Sequence, residues 1–189
     1  IHSPSVARHL QTGHPNACNL CHLDKSLQWT SEHLTQWYGQ PAVELDKAQK
    51  TVAASVQMLL SGDAVQRIVV AWHMGWKPAW EASGKNWQIP LLAQLLQDPY
   101  SAVRFVAHES MKKLPGYQQL QAATEYDFIA PPNERKQFQD AFLQRWQASK
   151  PRAPENPAAI LWNEDGTLKA ETILKLLQQR DDRKILLAE

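Results

Sequence analysis

Leu59-Leu60-Ser61-Gly62-Asp63-Ala64-Val65-Gln66-Arg67-Ile68-Val69-Val70-Ala71 and Leu95-Leu96-Gln97-Asp98-Pro99-Tyr100-Ser101-Ala102-Val103-Arg104-Phe105-Val106-Ala107 follow one pattern, their leucine pairs 36 positions apart. Each runs from a leucine pair through a short break with an aspartate into an apolar segment carrying an arginine. An Asp at such a break accepts hydrogen bonds from the unpaired N–H groups of the next turn, so each copy reads as the end of one helix, a turn and the start of another. The neighbouring sequence continues in kind. Asp46 caps a helix whose Val52, Val56, Leu59 and Leu60 fall at i, i+4, i+7 and i+8, ended by Gly62. Asp63 starts a helix with Val65, Ile68, Val69, Trp72 and Trp76 on one face, expected to be the core face. Pro90 opens a short helix bearing Leu91, Leu92, Leu95 and Leu96. Asp98-Pro99 reads as N-cap and first helical residue of a helix carrying Val103, Val106 and Met111, stopped at Pro115-Gly116. Thr30-Ser31 caps a helix with Leu34 and Trp37 that stops at Gly39 and Pro41. Asn133 begins another, with Phe138, Ala141, Phe142, Arg145 and Trp146. Ile160–Gly166 reads as a short strand or turn, and a last helix over Ala170–Gln179 carries Ile173, Leu174 and Leu177. The predicted fold class is all-α.

Composition supports a globular chain. Hydrophobic residues are 43% and charged residues 21% of 189, which excludes wholesale disorder. Twenty Lys and Arg against 19 Asp and Glu leave a net charge of +1, not the basic excess of a nucleic-acid surface. No apolar run nears the roughly 18–20 residues of a membrane span; the longest candidate, Ile68–Trp72, is core-sized. Of the eight Trp, Trp72 and Trp76 are expected in the core more than Trp29 or Trp162. Arg67 and Arg104 read as inter-helix support. Ser149–Pro157, with Pro151, Pro154 and Pro157, reads as a semi-rigid linker. The chain opens Ile1-His2-Ser3-Pro4, without an initiator Met or a signal peptide, as expected of a processed product or a piece of something longer.

Both cysteines lie in Cys18-Asn19-Leu20-Cys21-His22. This C-x-x-C-H spacing is the attachment signature of c-type haem. Thiols three positions apart on one helical turn can each form a thioether with one vinyl group, and the adjacent His22 can offer its imidazole to the iron as proximal ligand. The same residues admit other readings. A Cys18–Cys21 disulfide would close a very small loop and stabilise little. A thioredoxin-like pair requires a βαβ setting that this sequence does not show. Zinc could take Cys18, Cys21 and two of His2, His9, His14 and His22. The haem reading predicts one covalent haem c and an extracytoplasmic location, because thioether attachment takes place outside the cytoplasm. It also divides the chain into a haem-binding arm (1–41), mostly irregular over residues 1–25 apart from a helical turn at the motif, a HEAT-like helical domain (42–148) and a Pro-rich linker with a C-terminal helix (149–189). For the second iron ligand the order of candidates is His2, then His73, then Met74. His9 and His14 are placed to serve a neighbouring chain's haem, while His33 and His108 read as ordinary helix residues. No acid–base set accompanies the motif, so an electron carrier is expected rather than an enzyme.

The repeated Leu-Leu, Asp and Val-Arg pattern resembles HEAT-like helical repeats. Pro15–Lys25 resembles the last haem-binding segment of bacterial multihaem cytochromes c of the cytochrome c554-related type. The likeness extends through Trp29-Thr30, Trp37-Tyr38-Gly39-Gln40-Pro41, Ala71–Trp76, Asp98–Arg104 and Gln179-Arg180-Asp181-Asp182-Arg183. It implies electron transfer in the periplasm, with other haem proteins or cytochrome subunits as partners. Such relatives carry several C-x-x-C-H motifs and this chain has one. It is therefore expected to be either the C-terminal part of a longer cytochrome or a single-haem subunit that docks with others. A HEAT-like docking subunit with a mainly structural haem is the alternative.

Overall fold

The computed structural model describes residues 3–121 and 125–183. They form eleven α-helices and no sheet, the all-α class expected; the only β pairings among them are the isolated bridges Ser26–Ala53 and Trp162–Leu168. None of these helices is long and apolar enough to cross a membrane.

Local chemistry sets most boundaries. Helix α1 (Val6–Thr12) is capped by the Ser5 hydroxyl, so the arm holds a regular helix where irregular chain was expected. Helix α2 (Ala17–Cys21) is capped by Asn16. Helix α3 (Leu27–Tyr38) starts four residues before the expected Thr30-Ser31 cap, because the Ser26 hydroxyl accepts from the Trp29 N–H; Thr30 and Ser31 lie within it, buried. Gly39 closes it at φ 64°, a left-handed conformation that suits glycine. Asp46 and Gln49 form a capping box on α4 (Lys47–Thr51), as do Asp63 and Gln66 on α6 (Ala64–Met74).

The helix expected from Asp46 to Gly62 is broken in two, with α5 spanning Ala54–Ser61. At the break the Ala53 N–H donates to the Ala159 carbonyl and the Ala54 N–H to the Lys25 carbonyl, so tertiary bonds replace the intrahelical ones. The order continues with α7 (Lys77–Ser83), α8 (Gln88–Gln94) running into a 3₁₀ turn at Leu95–Gln97, α9 (Ser101–Lys112), α10 (Pro132–Ala148) and α11 (Ala170–Gln178). Asp98-Pro99 precedes α9 by two residues: the Asp98 carboxylate takes the Tyr100 N–H from the turn itself.

Helix α6 packs on α5 and α9 with the face opposite to the one expected. Ala64, Arg67, Val70, Ala71 and Met74 are buried, whereas Trp72 is 46% and Trp76 37% exposed, their rings stacked 6.0 Å apart. Close approach selects the small-residue face. A Cβ at Gly75 would sit 2.7 Å from the Ser110 side chain of α9. Trp162, expected in the core less than Trp72 and Trp76, is 2% exposed and edge-on to Trp146.

The two repeat copies occupy equivalent places, across the α5–α6 turn and across the turn into α9. Each arginine reaches back five residues to a carbonyl of its own turn, Arg67 to Gly62 (2.6 Å) and Arg104 to Pro99 (3.0 Å). Arg67 faces the Asp98 carboxylate and is closed over by the Asp181 carbonyl and the Asp182 carboxylate. Arg104 also binds the Asp98 and Phe128 carbonyls. Both therefore act as inter-helix support. A single buried apolar cluster runs from Val6 to Ile173.

Candidate functional site

Cys18 and Cys21 sit three residues apart on the five-residue α2, both half-exposed and neither in a disulfide. That spacing puts both thiols on one side of the helix. The Asn16 carboxamide oxygen accepts the Cys18 N–H (2.9 Å) and fixes the start of the turn. His22 ends it: its N–H reaches the Cys18 carbonyl (2.8 Å), and its φ of −87° and ψ of 70° carry the chain off the helix. The half-buried imidazole has no hydrogen-bond partner among the described residues and lies against Trp29, with ring centres 5.0 Å apart.

Electrostatics separate the readings left open above. Burial pushes the Cys18 thiol above its ordinary pKa, with a smaller upward push from Cys21. That direction is opposite to the lowered pKa that activates a redox or nucleophilic cysteine. No group of three or more His, Cys, Asp and Glu converges for a metal ion among the described residues; His2, one member of the zinc set, lies outside them. Two unbridged thiols on one helical face, beside an imidazole with no hydrogen-bond partner among the described residues, make a donor set that fits a covalently held iron porphyrin.

The remaining histidines are dispersed. His2 lies outside the described residues. His9 turns its Nδ1 to the His14 carbonyl (2.7 Å), and burial lowers its pKa. Both His9 and His14 line a groove of about 310 Å³ with Arg8, Thr12 and Asn16. His33 and His73 each hold the carbonyl four residues back, Trp29 at 2.8 Å and Val69 at 2.7 Å. A carbonyl can only accept, so in each ring Nδ1 is the donor. His73 stands half-buried between Trp72 and Trp76. Met74, one residue on, is 0% exposed in the interior; its thioether belongs to the core, so it is withdrawn as a ligand candidate. His108 is buried and bonded to the Tyr117 hydroxyl (2.8 Å), its pKa lowered to about 4 chiefly by burial. No protein-family model, curated protein or solved structure matches this chain.

Spacing alone did not reveal what holds the motif from behind. Asn19 is fully buried between the cysteines, and Ser55 and Asn156 grip the turn that follows His22. Asn19 carried a weak signal. Asn is a poor residue inside a helix, and its presence there points to a side chain bonded to backbone elsewhere.

Proposed function

We propose that this chain is a c-type cytochrome unit that passes single electrons to or from another haem-bearing protein or domain outside the cytoplasm. Cys18 and Cys21 would hold haem c through thioethers, and His22 would be the proximal iron ligand. When bound, that group supplies reversible one-electron chemistry at its iron. The observation that carries the reading is the donor set itself: the chain's two cysteines, unbridged on one short helix, beside a histidine uncommitted within the described residues.

The chain's own part is attachment, orientation and access. The Asn16 cap holds α2 in the turn that presents both thiols. The backbone of His22 is fixed at both ends, which directs its imidazole. All three groups are partly open to solvent, so whatever they hold is within reach of a partner. With a net charge of +1, encounter does not depend on a strong uniform field. A second iron ligand would be His2 first and His73 second, the latter through Nε2.

The outward Trp72, Trp76 and Val65 on α6 favour the second reading, a HEAT-like docking subunit in which the haem is mainly structural. One preparation, made with the cytochrome c maturation machinery, separates the two. One porphyrin per chain that survives acid acetone, with a low-spin reduced-minus-oxidised spectrum lost in His22→Ala, is the expected result. Complete extraction of the porphyrin overturns both readings. A retained haem that no haem-protein donor reduces leaves the docking subunit.

A further inference from the structure

Attachment chemistry leaves the two residues between the cysteines unspecified, yet the fold treats them differently. Leu20 packs at the edge of the core, whereas Asn19 is 0% exposed although the thiols on either side are half-open. A carboxamide at that depth must find partners. Its Nδ2 donates to the Lys25 carbonyl (3.0 Å), and its Oδ1 accepts from the Thr30 hydroxyl (2.9 Å). One side chain thus ties α2, the turn after it and α3 together.

Every carbonyl of that turn is held. The Ser55 hydroxyl donates to Leu23, the Asn156 amide to Asp24 (3.4 Å), and both Asn19 and the Ala54 N–H (3.0 Å) to Lys25. His22 is the residue between α2 and the turn. Its N–H is bonded back to Cys18, and its carbonyl accepts the Lys25 N–H (3.1 Å). A metal-binding histidine is ordinarily aimed by a hydrogen bond from its second ring nitrogen. Among the described residues none is supplied to His22, so its aim comes from the backbone that carries the ring and from Trp29.

We propose that Asn19 is the positioning residue for His22: its buried carboxamide, locked between the Lys25 carbonyl and the Thr30 hydroxyl, fixes the plane of an imidazole that has no hydrogen bond of its own among the described residues. The consequence at an iron rests on the cytochrome reading; the clamp itself does not.

Two arms test it. In the full chain carrying Cys18→Ser and Cys21→Ser, which cannot attach haem, proton NMR reads the His22–Trp29 ring contact and the exchange rate of the Ala54 amide. Asn19→Ala should abolish the ring contact and raise exchange by about ten-fold. Thr30→Val, near-isosteric and removing one of the two bonds, should weaken the contact by less and serves if Asn19→Ala does not fold. In the cysteine-intact protein, the same changes should shift the low-spin electron paramagnetic resonance g-values, which report the imidazole plane. Ile173→Val, a mild core change in α11, should move neither signal. Folded Asn19 and Thr30 variants with unaltered ring contact and g-values, or an equal shift from Ile173→Val, overturn the proposal. A cysteine-intact protein without covalent haem overturns the cytochrome reading alone, and the first arm still decides the role of Asn19.

Discussion

Arg67 and His22 are both polar side chains at the edge of a helix, and the fold treats them in opposite ways. Arg67 is completely buried with the equally buried Asp98 carboxylate opposite it, and the Gly62 carbonyl, the Asp181 carbonyl and the Asp182 carboxylate take its remaining N–H groups. His22 is half-open, with its backbone bonded on both sides and its ring left uncommitted within the described residues. The difference is in what the polar atoms meet: the Arg67 guanidinium is bonded to Asp98, Asp182 and two backbone carbonyls, with its Nε ion-paired 2.8 Å from the Asp98 carboxylate, and so holds helices together, whereas the His22 ring meets no hydrogen-bond partner among the described residues.

Breaking the sealed side should have the largest effect. Arg67→Ala leaves the buried Asp98 carboxylate with only the more distant Arg180 guanidinium, 3.7 Å away, and should cost about 3 kcal/mol in urea unfolding; a cost below about 1 kcal/mol would remove the contrast. His108 extends the sealed class to a neutral group. Its folded pKa of about 4 lies below the ordinary 6.5, so between those values the unfolded chain binds a proton that the folded chain does not. Its contribution is whole above about pH 6.5 and falls as pH drops towards 4, by up to about 3 kcal/mol. His108→Phe should flatten that slope in unfolding curves measured across this range. The open side should behave otherwise. Cys18→Ala with Cys21→Ala should remove all acid-acetone-resistant porphyrin while changing the unfolding free energy of the haem-free chain by less than about 1 kcal/mol. The exposed Lys77–Glu81 pair, 3.8 Å apart, sets the floor. Lys77→Ala should fall within about 0.5 kcal/mol by thermal melting.

Helix existence was legible because it rests on local chemistry: the Asp46–Gln49 and Asp63–Gln66 boxes and the glycine after Tyr38 can each be found within four residues. What was not legible depends on partners far along the chain. The break at Ala53 needs the carbonyls of Lys25 and Ala159. Helix α6 offered two faces, and the periodicity of Val65, Ile68, Val69, Trp72 and Trp76 was the more apolar one. The buried choice went to Ala64, Val70 and Ala71 because α9 approaches too closely for large rings, and it carried Arg67 inside because Asp98 was there to meet it. The motif is similar. Its cysteines and histidine are fixed by spacing, whereas the work of Asn19 is visible only once Thr30 and Lys25 are folded onto it.

The contact that closes over Arg67 joins residues 114 and 115 positions apart in the chain. Loop closure makes so distant a pairing a late step. Asp98, 31 positions away, can meet Arg67 when α6 and α9 first dock, whereas the segment at Asp181 and Asp182 must wait for the rest of the chain to settle. Its bond from the Asp181 N–H to the Ser61 carbonyl would then act as a latch at the edge of the fold. Release of that latch would bring water to one side of a guanidinium otherwise sealed in the interior.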